Sequence, residues 1–262
     1  DTHCHLEMHL QYPLISQLSQ ENYQTVENII HDAYNQDVTK IVNISTTYER
    51  CLQGITFAQK FSPVYVAVGI HPCDITGTWH EDLKKIKELL AHKTDNKIVG
   101  IGETGLDFYH PGYNIEQQEN VFRNHIELAL ENDLALVIHT RNALDETLEI
   151  LYEYRAHGLR GVIHCFSGDL ATAHDIQKLN FMMGIGGIIT YPKNEELRSV
   201  VKALHLNNMV LETDAPFLPP QHMRGKQNNP AQIRTIAQYC ADLLNVDVAT
   251  VAKITTDNAQ AL

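Results

Sequence analysis

Short apolar runs rich in β-branched residues recur along the chain at regular intervals. They are KIVNIS (40–45), VYVAVGI (64–70), KIVGIG (97–102), LALVIH (134–139), GVIHCF (161–166), FMMGIGG (181–187) and MVLET (209–213). Near-continuous runs of this length suit strands buried on both faces of a parallel sheet. The opening segment DTHCHL reads as the end of one more strand, which makes eight. Between the runs the apolar positions change to a helical period. ENYQTVENIIHDAYNQ puts Tyr23, Val26, Ile29, Ile30 and Ala33 on one face, and IEQQENVFRNHIELALEN does the same with Val121, Phe122, Ile126 and Leu130. ALDETLEILYEYRAHG starts after Asn142, a candidate N-cap, and stops at Gly158, a candidate C-cap. LATAHDIQKLN, NEELRSVVKALHL and PAQIRTIAQYCADLLN continue the alternation.

Eight strands alternating with helices predict an α/β chain folded as a (β/α)₈ TIM barrel, one domain over residues 1–262. A doubly wound open sheet is the competing architecture. It would carry a glycine-rich phosphate loop after the first strand, and none follows DTHCHL.

Composition narrows the function classes. Hydrophobic residues make up 44% and charged residues 20%, as in an ordinary globular domain. No apolar run approaches the ~18 residues of a membrane span. Five scattered cysteines without a C-x-x-C motif read as reduced, cytoplasmic thiols. A formal net charge of −12 repels nucleic acid in bulk, so a polyanion would have to be met locally, by cations or a few basic residues. The start at Asp1, at the end of an expected strand, suggests that residues precede it.

Chemistry-bearing residues fall at one place in each unit, the C-terminal end of a strand. The first strand delivers His3 and His5, and later ones deliver His71, Glu103 with Asp107, His139 with Arg141, His164, and Glu212 with Asp214. Among 15 histidines in 262 residues, about one His-x-His arises by chance, so the opening pair means little alone. Its weight comes from six strands aiming such groups at the rim where barrels hold their active sites. Alternation places His3 and His5 on the inward face and turns Cys4 and Cys165 outward as packing residues. His3, His5, Glu103, His139, His164 and Asp214 form a nitrogen and oxygen donor set suited to Zn²⁺, Mn²⁺ or Mg²⁺. Six ligands suffice for two ions, with Glu103 the natural bridging carboxylate. Glu212, one layer deeper, reads as a buried partner that orients a ligand, and Asp107 as a cap for the loop after GETGL.

DTHCHL, VAVGIHP, GETGLDFYH, VIHTR, VIHCFSG and LETDAPFLPP with RGKQNNP together resemble the TatD family of metal-dependent deoxyribonucleases, almost end to end. The resemblance implies a TIM barrel of the amidohydrolase superfamily. It implies one ion on His3, His5, Glu103 and Asp214, and a second on Glu103, His139 and His164. Thr140, Asn142 and Asn229, and the closing NAQAL, depart from the family pattern at positions that are not ligands. The function expected is exonuclease-like hydrolysis of DNA by metal-activated water, at strand ends or on single strands, with no membrane or protein partner. In that chemistry Asp214 would take the proton from the water, Arg141 would pair with phosphate, and His71 would contact the phosphate or help the leaving group. A hydrolase of the same superfamily cutting an amide, ester or lactone is the alternative.

Overall fold

A computed structural model of the chain describes residues 1–10 and 17–262. In chain order its regular elements are α1 (Gln20–Tyr34), β1 (Ile41–Ile44), α2 (Tyr48–Lys60), β2 (Val64–Val68), α3 (Trp79–Leu90), β3 (Ile98–Asp107), α4 (Ile115–Asn132) and β4 (Ala135–Arg141). They continue with α5 (Leu144–Glu153), β5 (Gly161–Ile163), α6 (Leu170–Lys178), β6 (Phe181–Ile185), α7 (Glu195–Leu204), β7 (Met209–Leu211), α8 (Ile233–Leu244) and α9 (Val248–Ala261). Each apolar run expected to be a strand is one, except that the opening segment forms only isolated bridges at Cys4. Helices α2, α3 and α9 add to the six read from periodicity.

The chain packs as two compact units. The second unit holds Ile44–His164 with Ile176–Met182. Its strands β2, β3, β4 and β5 are neighbours in that order, all parallel, with helices between them. Val66, Ile101, Leu136, Ile138 and Ile163 from the strands are buried, as are Phe57, Ile86, Phe122 and Ile126 from the helices. α4 shows how sequence sets an element here. Asn114 accepts a hydrogen bond from the Gln117 amide at its start. Val121, Phe122, Ile126 and Ala129 make its buried face, and Asp133 in the left-handed region ends it. α5 departs from expectation. It follows Ala143 with no side-chain cap, because Asn142 itself turns left-handed, and it ends at Glu153 ahead of a tight turn closed by Gly158.

The first unit holds Asp1–Asn43, Cys165–Asp175 and Met183–Ala261. Here β6 pairs in parallel with β7. Cys4 bridges in parallel to Asn43 of β1 and to Ala215 just past β7, so the opening segment occupies a strand's place between them. Val26, Met183, Ile185, Val210, Ile236, Cys240 and Val251 are buried in this unit.

β3 runs four residues beyond Glu103. Its register against β4 shifts between Ile101 and Thr104, so Glu103 leaves the sheet at an irregularity rather than at a strand end. Such a shift re-aims a side chain. It needs glycine on both sides. Gly102 and Gly105 have φ of +150° and +132°, and a Cβ on either would overlap the backbone of Val137 or His139.

His125 of α4 is fully buried, with Nδ1 donating to the Val121 carbonyl and Nε2 accepting from the Ile70 amide. Burial lowers its pKa to about 4. Gly105→Ala should cost more than about 2 kcal/mol, a fall of roughly 5 °C in the thermal midpoint; an unchanged midpoint would contradict the close approach to His139. For His125, the unfolded chain takes up a proton below about pH 6.5 while the folded chain stays neutral to about pH 4. Stability is therefore lost as pH falls through that window. Denaturant unfolding of wild type and His125→Gln at pH 7 and 4.5 should show the variant losing about 2 kcal/mol less; equal losses would refute the assignment.

Candidate metal centre

In the first unit the opening histidines meet Asp214. The two Nε2 atoms of His3 and His5 face each other at 3.2 Å. Asp214 Oδ1 lies 3.7 Å from the first and 3.4 Å from the second. Ligand atoms about 2.1 Å from one ion stand roughly 3 to 3.5 Å apart, so this spacing fits a shared divalent cation. Both imidazoles are buried.

Backbone pairing fixes the trio. The Asp214 amide donates to the His3 carbonyl at 2.9 Å and the His5 amide to the Ala215 carbonyl at 2.8 Å. Asp214 sits in the left-handed region at φ +56°, which a short acidic side chain tolerates. Asp1 ties the same two segments together. Its carboxylate accepts from Thr213 Oγ1 at 2.6 Å, from the Thr213 amide at 3.1 Å and from the His3 amide at 3.2 Å. Asn228 holds the following loop by donating to the carbonyls of Thr213 and Phe217, both at 2.8 Å. Asp1 and Asn228 both lie within motifs read from the sequence, DTHCHL and RGKQNNP, but neither was given a role, because their partners are remote. Cys4 is buried, its thiol directed at the Val42 carbonyl and its pKa pushed up by burial, consistent with a packing role. Glu212 is fully buried and its Oε1 accepts from the Cys165 amide at 2.7 Å.

In the second unit three imidazoles surround Glu103. Its Oε1 lies 3.1 Å from His139 Nδ1, 3.7 Å from His71 Nε2 and 3.9 Å from His164 Nε2. The strand ends hold these groups: the Glu103 amide donates to Ser45, the His71 amide to Thr46 and the His164 amide to Ile138.

Hydrogen bonds on the far side of each ring separate two roles. His139 Nε2 lies 3.1 Å from Asp107 Oδ2. Burial pushes the Asp107 carboxyl up, but hydrogen bonds from His139, His110 and Tyr109 outweigh it and hold it ionised far below the usual range. With Nε2 donating to Asp107, Nδ1 faces the Glu103 carboxylate at 3.1 Å, where a neutral ring would present a lone pair. Two such acceptors at 3.1 Å require positive charge between them, a proton or a cation. His71 is the reverse case. Its Nδ1 accepts from the Cys73 amide at 3.1 Å, so its proton sits on Nε2, the atom facing Glu103. In that tautomer His71 is a donor rather than a ligand, although its ring joins Glu103 and His139 in one cluster of possible metal-holding groups. Asp107 both caps the Tyr109 and His110 amides and orients His139; the sequence pointed to the cap alone.

Arg141 closes β4, exposed, with its guanidinium 3.8 Å over the exposed ring of Tyr109. Stacking on one face leaves the N–H edge of the fork available for an anion. Among the described residues no helix is long and apolar enough to cross a membrane.

The chain matches the family model described as TatD related DNase over residues 1–262. An uncharacterized metal-dependent hydrolase of Bacillus subtilis, YabD, is 35% identical over 100% of this chain and 97% of its own length. Another from Escherichia coli, YcfH, is 34% identical over 98% of this chain and 92% of its own length. The crystal structure of YjjV, a TatD homologue from E. coli, superimposes with a TM-score of 0.87 at 27% identity, covering 98% of this chain and 95% of that one. The fold is thus the TIM barrel expected from the alternation of strands and helices, and the chain belongs to the TatD family of metal-dependent hydrolases.

Proposed function

We propose that the chain hydrolyses phosphodiester bonds of DNA, at strand ends or on single strands, using two divalent ions such as Mg²⁺, Mn²⁺ or Zn²⁺. The observation that carries this reading is the pair of donor sets. The first sets Asp214 3.4 Å from His5 and 3.7 Å from His3, and the second sets Glu103 3.1 Å from His139 and 3.9 Å from His164, each within one compact unit. His3, His5 and Asp214 hold one ion; Glu103, His139 and His164 hold the other. The sharing of Glu103 between both ions rests on the family motifs. The family description, which names a DNase, supports the substrate class.

Bound divalent ions would lower the pKa of a water and draw charge from a phosphoryl oxygen. The protein's own groups supply the rest. Asp214 accepts the proton of the attacking water. The Nε2 proton of His71 is directed at the cluster, where it serves the phosphate or the departing oxygen. Arg141, stacked on Tyr109, pairs with a flanking phosphate through its fork. Cations at the site offset the repulsion that a chain of net charge −12 exerts on a polyanion. The scattered cysteines are all free, in keeping with a reducing, cytoplasmic setting.

A metal-titrated assay on single-stranded and duplex DNA, run beside acyl substrates, tests the reading. Turnover of DNA should require added ion and fall by more than about 100-fold in Glu103→Ala and in Asp214→Ala. Turnover of an amide, ester or lactone with none of any phosphodiester would overturn it. In the same assay His71→Ala should lower kcat by roughly 100-fold with KM little changed. Arg141→Ala should instead raise KM by about tenfold. A His71 variant with full kcat would remove that residue from the chemistry.

A further inference from the structure

We propose that Cys73, Asp107 and His110 form a third cation site, suited to a borderline-soft ion such as Zn²⁺ and poorly suited to Mg²⁺. Cys73 lies in the short turn after His71, Asp107 ends β3, and His110 follows three residues later. Cys73 Sγ stands 3.3 Å from His110 Nδ1, and that nitrogen stands 2.9 Å from Asp107 Oδ2. All three donor atoms lie within 4.8 Å of one another.

The scaffold fixes this convergence. Asp107 Oδ1 accepts from the Tyr109 amide at 2.9 Å and the His110 amide at 3.1 Å, which winds the loop around the carboxylate and sets His110 over Oδ2. Buried Gln118 of α4 clamps the two loops together. Its Oε1 accepts from the Asp107 amide at 2.9 Å, and its Nε2 donates to the carbonyls of Asp107 at 3.1 Å and Pro72 at 3.5 Å. The Cys73 amide is held by His71 Nδ1.

Without an ion, burial and a hydrogen bond to Asp107 push the Cys73 thiol up to about 12, so thiol and imidazole both lean on one carboxylate. A cation among the three atoms engages sulfur, nitrogen and oxygen together, and the thiol proton leaves to solvent as it binds. One thiolate, one imidazole and one carboxylate make a donor set that Zn²⁺ accepts in tetrahedral geometry with the fourth position open, whereas Mg²⁺ demands oxygen. Asp107 Oδ2 also lies 3.1 Å from His139 Nε2, so an ion here would share its carboxylate with a residue of the Glu103 cluster.

Co²⁺ added to the Mg²⁺-saturated protein tests the site, because the nitrogen and oxygen sets around Glu103 and Asp214 contain no sulfur. Wild type should develop a thiolate-to-Co²⁺ charge-transfer band that is lost in Cys73→Ser and weakened in His110→Ala. A wild type without the band, or a band unchanged in Cys73→Ser, overturns the proposal. Crystals of wild type soaked in Zn²⁺ and measured at the zinc edge supply a readout that depends on no variant. An anomalous peak among Cys73 Sγ, Asp107 Oδ2 and His110 Nδ1 supports the site, and its absence refutes it.

Discussion

A buried carboxylate is costly unless protons or positive charge face it, and this constraint organises the functional part of both units. Asp214 meets two imidazoles, Glu103 meets three, and Asp107 meets two rings and two backbone amides. The decisive detail is which ring atom carries the proton. Asp107 takes the proton side of His139 and so commits the other nitrogen to a cation or a second proton. The Cys73 amide takes the lone pair of His71 and so commits its other nitrogen to donation. Two histidines in one cluster thereby acquire opposite chemistry from their backs, not from the faces they show to Glu103.

The rest of the fold serves to hold these groups still. Strand-end carbonyls receive the amides of Glu103, His71 and His164. The register shift in β3 turns Glu103 out of the sheet, and Gly102 and Gly105 permit it because no side chain fits there. In the first unit, Asp1 and Asn228 lock the segment around Asp214 so that the His3 and His5 rings face it. Rigid positioning of this kind is what a metal site requires before an ion arrives.

Much of this was legible in the sequence, and the limits have physical causes. Strands read well because each is an apolar run with polar residues just beyond it, and the stretch read as helical over 115–132 forms α4 over the same residues, with Leu130 of its expected face only half-buried. The opening strand shrank to isolated bridges at Cys4, since the amides of His3 and Leu6 go to the side chains of Asp1 and Asn43. Asn142 misled as a cap because Asn is equally at home in a left-handed turn. Spacing brought out His3, His5, Glu103, His139, His164 and Asp214 as residues that belong together; in the structure His3 and His5 lie beside Asp214, and His139 and His164 beside Glu103. The second role of Asp107, the tautomer of His71 and the tie between Asp1 and Thr213 depend on contacts across the fold, which no local pattern encodes.

The central claim is that the opening His-x-His pair and Asp214 hold an ion of their own, apart from the ion held by Glu103, His139 and His164. Equilibrium dialysis or calorimetric titration with Mn²⁺ counts the ions directly. The doubly substituted His3→Ala, His5→Ala chain should bind one ion fewer than wild type while keeping the other. Undiminished binding in that variant would contradict the account.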